Sequence, residues 1–515
     1  MKKNKAKKDA LKEGFLKPFY VCSFLIALFL FLFQFYLYWP GYIQDDSQTT
    51  FLLVKINWHP VIMAYLIEGM YYLFGYHLYH LYLLTLIPFY LAFLIIVNTS
   101  YMKTKSWWSL VLFFPCIIGN VFYALVKMGC SSFSMSWIIL LYAMTLYVAL
   151  NPIKTIWRKR LFFASYAVVF TISLLSRHNA ILQVWPITFF WILCWLADKK
   201  YSLWKYLWSF CGYSFISGLL CTALLYTLNT SLTRADNGNV YPATQIIVHQ
   251  IVGACAPDMD ESCFNPDWWR GSWKINPERM RFLKRRYEKN QLSSEPFALR
   301  HYAWVPFKIH ENLEGRYSKW LYAIIKHPKN YLLHLKRYYE AFWFSDPQLV
   351  TQDKLLTVYP KEGMLFIASL WNPASERELK FREQLAEKIP QYEMGIKWNK
   401  GEEKIDNFIR TFFPSFNIFW FVCLNFITFI IACIFFFKRQ KNVLGFLLFA
   451  SSVSGVMSCI IIPAFSPIIL IRYMNPVIFC SLLSLIFLIF MVQDKEVSEV
   501  KENLVRKIKK IKRLK

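Results

Sequence analysis

The sequence predicts an all-α polytopic membrane protein with about ten transmembrane helices, interfacial helices and one largely helical extracytoplasmic domain. Three observations predict it. Of the 515 residues, 56% are hydrophobic and 19% aromatic, more apolar than a soluble core requires. Apolar runs of about 20 residues, long enough to cross the hydrocarbon layer, recur near residues 19–39, 79–99, 107–125, 133–150, 161–176, 180–197, 206–228, 412–437, 443–462 and 473–492. Basic residues gather in alternate connections, as the positive-inside rule requires of cytoplasmic loops.

A net charge of +27 would suit a nucleic-acid partner if it lay on a soluble face. Instead, +21 of it sits in the two tails and in loops 100–106, 151–160, 198–205 and 438–442. Topology therefore explains the excess: both termini and these loops are expected in the cytoplasm, against anionic inner-leaflet lipid, and nucleic acid is not an expected partner. Loop 40–78 and segment 229–411, which carries 27 basic and 22 acidic residues, are expected outside.

Taken in order, residues 1–18 read as a basic arm and 19–228 as a membrane module of about seven spans. The first span ends at Tyr38-Trp39, aromatic residues that favour the bilayer interface, without the small residues of a cleavage site, and reads as a retained anchor. Pro60 suits the first turn of a helix, and Val61–Phe74 is apolar but too short to span, which predicts a helix on the outer membrane surface.

Segment 229–411 reads as an extracytoplasmic domain, mainly helical, with membrane-facing helices expected at Tyr241–Gln250 and from Lys326 through Phe344. Its acidic string Asp258, Asp260, Glu261 and Asp267 lacks the glycine and terminal glutamate of an EF-hand. Of the cysteines expected on the outer side, Cys130, Cys255 and Cys263, the last two could bridge. The twelve cysteines otherwise show no CxxC and no Cys/His cluster at zinc spacing. Residues 412–492 add about three spans. Tail 493–515 alternates Val500, Leu504, Ile508, Ile511 and Leu514 with basic residues, predicting an amphipathic helix on the inner leaflet.

The chemistry concentrates in Trp39-Pro40-Gly41-Tyr42-Ile43-Gln44-Asp45-Asp46-Ser47-Gln48 and Asn57-Trp58-His59-Pro60. Charges in or beside a membrane are costly, and here Asp45, Asp46, His59, Lys127, Arg177, His178 and Arg472 all fall on the outer side from separate parts of the chain. Two carboxylates offer a general base, and the cations offer partners for a phosphate. The plainer readings are a polar turn between helices and an Arg177 that snorkels to lipid headgroups. No GxSxG, HExxH or GxxxxGK[ST] is present.

These residues resemble the GT-C class of multi-spanning membrane glycosyltransferases, the protein O-mannosyltransferase-like superfamily, in particular a bacterial Gram-positive branch with a Pro-Gly…Asp-Ser…Trp-His-Pro first outer loop. The matching residues are Pro40-Gly41, Asp46-Ser47-Gln48 and Trp58-His59-Pro60, with weaker matches at Arg177-His178-Asn179, His327-Pro328-Lys329-Asn330-Tyr331 and Arg472-Tyr473. The resemblance implies transfer of a sugar from a polyprenyl-phosphate donor to a glycan, lipid or protein acceptor outside the cytoplasm. It assigns the base to Asp46, with Asp45 second, and donor-phosphate contacts to His59, Arg177, His178 and Arg472, with Lys127 beside them. The tandem Asp45-Asp46 departs from the family pattern and leaves open which carboxylate corresponds to its acid. No cofactor is firmly expected: the two carboxylates could hold a divalent ion, but no DxD loop with further ligands supports one. The competing reading is a lipid or polysaccharide transporter, which should carry charged or broken helices near mid-bilayer, often within internal repeats; no repeat is evident.

Overall fold

The computed structural model describes the backbone of residues 2–37, 42–43, 61–75, 77, 79–128, 130–233, 242–269, 276–293, 307–308, 313–344, 411–438, 442–466 and 471–513. The chain begins with α1 (Lys2–Leu37), a two-residue strand β1 (Tyr42–Ile43), and α2 (Ile62–Phe74), the short helix expected on the membrane surface. Then come α3 (Tyr79–Thr104), a 3₁₀ helix Trp107–Ile117, α4 (Gly119–Val126) and the strand β2 (Lys127–Met128). Helices α5 (Cys130–Leu150), α6 (Ile156–Leu175), α7 (Ile181–Ala197) and α8 (Leu203–Leu232) complete the first membrane module.

By length and composition, eight helices among the described residues can cross a membrane: Pro18–Leu37 of α1, α3, α5, His178–Ala197 around α7, α8, Ile418–Lys438, Val443–Ala464 and Asn475–Asp494. A ninth is broken, its 3₁₀ half and α4 meeting at 64°. The tenth expected span, α6, is a 20-residue helix, but Arg158, Lys159 and Arg160 occupy its first turns and its apolar part starts at Leu161. The protein is a multi-pass membrane protein of helical architecture.

The break in the third span has a specific filling. At Ile118 the helix stops, and the segment leading from the outer domain back to the membrane docks there: Gly119 N–H donates to Pro414 O at 2.9 Å. Asn120 pairs with the backbone of Phe416 in both directions, donating at 2.9 Å and accepting at 2.7 Å, so the interrupted helix is satisfied by another strand of chain rather than by water. A Cβ on Gly119 would collide with Ser415 Oγ and stand 2.8 Å from Phe413 O, so only glycine admits this approach.

The domain expected outside, hereafter the outer domain, holds α9 (Pro242–Cys255), α10 (Pro277–Lys289), α11 (Arg316–Lys326) and α12 (Pro328–Trp343) around a core of its own that includes Val252, Trp268, Met280, Leu283 and Phe307. Cys255 and Cys263 form a disulfide. The membrane module resumes with α13 (Ile418–Lys438), α14 (Val443–Ala464), a 3₁₀ turn Ile471–Met474 and α15 (Asn475–Arg513). The basic tail continues the last span: no Gly or Pro follows Asp494 to end α15, which runs on unbroken to Arg513.

Helix α14 is the hub, packing against α5, α7, α12, α13 and α15. Since lipid is as apolar as leucine, polar pairs and small residues supply the specificity. Tyr142 and Ser454 share a hydrogen bond of 2.9 Å, Gln183 donates to Ser458 at 2.7 Å, and Ser451 meets Ser484 at 2.8 Å. Asn425 donates to Val477 O at 2.9 Å, in a space that exists because residue 455 is glycine; a Cβ there would run into the Asn425 amide. Gln34 of α1 similarly ties α4 and α3, donating to Phe122 O at 2.9 Å and accepting from Tyr90 at 2.7 Å. The outer domain is seated on the end of α14: Gln250 donates to Ala464 O at 2.5 Å, Tyr339 to Ile460 O at 2.6 Å and Trp343 to Cys459 O at 3.2 Å.

Candidate functional site

Strand β1 runs parallel to β2, with Tyr42 opposite Lys127 and Ile43 opposite Met128. The backbone of the first outer loop is thereby fixed to the segment that carries Lys127, where the third span has just ended and α5 begins. Asp45, Asp46 and His59 lie outside the described residues.

Helix α5 opens with the hydroxyls of Ser131, Ser132 and Ser134. Each has a task. Ser132 donates to Ala124 O, closing the end of α4 onto the start of α5. Ser134 accepts from Ser176 at 2.7 Å, and Ser131 Oγ accepts from Arg177 Nη1, so the end of α6 is held to the same turns. The Arg177 guanidinium, half-buried, also lies over the ring of Tyr473 at 4.6 Å from its centroid. Tyr473 stands in the 3₁₀ turn Ile471–Met474, next to Arg472. His178 opens a turn directly after Arg177 and is exposed.

Four segments that the sequence singled out are thus brought to one end of the bundle: the start of the first outer loop, Lys127, Arg177-His178, and the turn of Arg472. Ser131 and Tyr473 were not singled out as site residues. Three hydroxyls in the first turns of an apolar span were the available signal for the former.

The outer domain holds a second concentration of polar groups. Tyr287 and His334 Nδ1 lie 2.8 Å apart, Tyr338 and His249 Nδ1 3.2 Å apart, and the two imidazoles 5.0 Å centre to centre. Burial pushes His249 down to about 4, against a weaker opposing hydrogen bond with the Asn290 backbone. Burial likewise lowers His334 well below its ordinary value, helped by His249 and Arg337, and raises Tyr287 to about 12. At the corner between α11 and α12, His327 bridges two carboxylates, Nδ1 to Asp258 at 2.7 Å and Nε2 to Asp260 at 2.8 Å. Partial burial alone would raise Asp260, but hydrogen bonds from Lys326, Ser262 and His327 outweigh it and hold the carboxyl well below the usual range. The acidic string is therefore an ion-pair clasp. Cys255, Cys263 and His327 offer ligand atoms within 4.8 Å of one another, but the two sulfurs are bonded together and present no thiolate for a metal.

The fold defines a multi-pass membrane protein with a helical domain seated on the end of its hub helix. No protein-family model and no curated protein matches the chain. Among solved structures, the chain is similar to ArnT from Cupriavidus metallidurans bound to undecaprenyl phosphate, at 11% identity and a TM-score of 0.26 over 91% of this chain and 77% of that one. At this level of similarity no residue role is carried over from it.

Proposed function

We propose that the protein is a membrane glycosyltransferase of the GT-C type, moving a sugar from a polyprenyl-phosphate donor to an acceptor hydroxyl on the outer side of the membrane. The observation that carries this reading is the convergence at the end of the bundle: β1 on β2, and Arg177 on both Ser131 and Tyr473. Segments far apart in sequence, those that carry Lys127, Arg177 and Arg472, meet there, and Tyr42-Ile43 of β1 leads in sequence to Asp45 and Asp46. Sidedness is supported by the alternation of basic loops and by the Cys255–Cys263 disulfide, a bond that persists in oxidising compartments.

In this mechanism Asp46 takes the proton of the acceptor hydroxyl as its oxygen bonds to the anomeric carbon. The bond from that carbon to the donor phosphate oxygen breaks, and the electron pair leaves with the polyprenyl phosphate. Fixed cations at a membrane boundary, where the dielectric is reduced, stabilise the charge that develops on that phosphate. Arg177, Arg472, Lys127, His59 and His178 take this role, while Asp45 is the second carboxylate; two adjacent carboxylates in a dry site oppose each other's ionisation. The third span is broken, a feature also expected of transporters, but its gap is filled by residues 414–416 through uncharged groups.

The reading is tested by comparing envelope glycans of cells with and without the protein. Loss of one sugar substituent, with the lipid-linked donor accumulating, is the expected result. Unchanged glycans together with a donor trapped on the cytoplasmic leaflet would point to a transporter instead.

A further inference from the structure

We infer that Ser131 and Tyr473 are positioning residues for Arg177, fixing its guanidinium as the arginine that receives the donor phosphate; the inference rests on the function proposed above. An arginine side chain has four rotatable bonds and loses much rotamer freedom when it must present one face to a ligand. Here two neighbours remove that freedom before any ligand arrives. The Tyr473 ring lies against the cation, its centroid 4.6 Å from the guanidinium carbon, and restricts the plane the guanidinium can take. The hydrogen bond from Nη1 to Ser131 Oγ sets the rotation within that plane. Ser131 and Tyr473 are both uncharged, so these two contacts act on the orientation of the guanidinium.

The same two contacts make the site sensitive to its distant parts. Ser131 sits on the first turn of α5, directly after the strand that pairs with Tyr42-Ile43, and Tyr473 sits in the turn that starts α15. Arg177 is therefore the point where the first outer loop, the end of α6 and the start of the last span report to one another. Sequence position alone gives Arg177 the bland role of a snorkelling headgroup contact, and a snorkelling arginine needs no ring beneath it.

The test measures binding of radiolabelled undecaprenyl phosphate to the full-length protein in nanodiscs, with undecaprenol as the uncharged control. Arg177→Ala is expected to lose roughly thirtyfold in affinity, and Tyr473→Leu about tenfold through the lost cation–π contact. Ser131→Ala should lose roughly threefold, while Tyr473→Phe, which keeps the ring face, should lose far less than Tyr473→Leu. In case Tyr473→Leu fails to fold, ring-fluorinated phenylalanines at position 473 keep the shape and drain the negative face, and affinity should fall stepwise with fluorination. Wild-type affinity for the fluorinated series and for Ser131→Ala, with Arg177→Ala still weak, would overturn the positioning role and leave the proposed function standing. A wild-type protein that binds undecaprenyl phosphate no better than undecaprenol would overturn the phosphate site itself.

Discussion

Two regions of this molecule concentrate polar side chains, and they do so by opposite means. In the outer domain, charge is matched locally: His327 lies between Asp258 and Asp260, Lys326 meets Asp260 at 2.8 Å, and the buried imidazoles of His249 and His334 are held neutral beside tyrosines. At the end of the bundle, segments distant in sequence converge, and Arg177 is held by a serine from one and an aromatic ring from another. A locally matched cluster is what a domain needs to stay folded. A convergent one, which positions an arginine with contacts from segments distant in sequence, is what a phosphate-bearing substrate needs.

The difference can be broken from either side. The largest effect is expected from Asp46→Asn, which should lower sugar transfer about a thousandfold by removing the base, with expression unchanged in immunoblots of the membrane fraction. Arg177→Ala comes next, raising the donor KM roughly thirtyfold with a smaller change in kcat, measured by initial rates over a donor series.

Acid acts on the other region. The folded domain keeps His249 neutral down to about 4, whereas the unfolded chain takes up that proton near 6.5. Stability should therefore be level above pH 6.5 and fall as pH drops toward 4, by about 1.4 kcal/mol per unit and about 3 kcal/mol in all, with His334 adding in the same direction. Thermal unfolding across that range checks it, and His249→Phe should flatten the slope. The smallest effect is expected from His327→Gln. It opens a clasp whose Asp258 partner is 53% exposed, so stability should fall by about 1 kcal/mol or less, with turnover per folded molecule intact. A His327 variant that folds normally yet loses transfer would erase the contrast between the two regions.

What could be read from the sequence divides along the same line. Long apolar runs, alternate basic loops and the short α2 were legible because burial in lipid needs only length and composition. The bend at Ile118 was not, because Gly119-Asn120 sits in a run that reads as continuously apolar, and the reason for the break is the backbone of Phe416, which comes from the far side of the outer domain. Arg177 was legible as a costly charge at a helix end, yet its partners Ser131 and Tyr473 were not, since a serine and a tyrosine at membrane boundaries cost little and stand out weakly. The disulfide needed three-dimensional proximity to become more than a possibility of spacing.

The central claim, that the convergent end transfers sugar, is tested most directly with purified protein in proteoliposomes, given labelled undecaprenyl-phosphate-linked hexoses on the outer-face side and an envelope fraction as acceptor. The account predicts that label moves covalently to the acceptor, with free undecaprenyl phosphate appearing in equal amount. Label that crosses the bilayer while remaining on its lipid, with no acceptor modified, would contradict it.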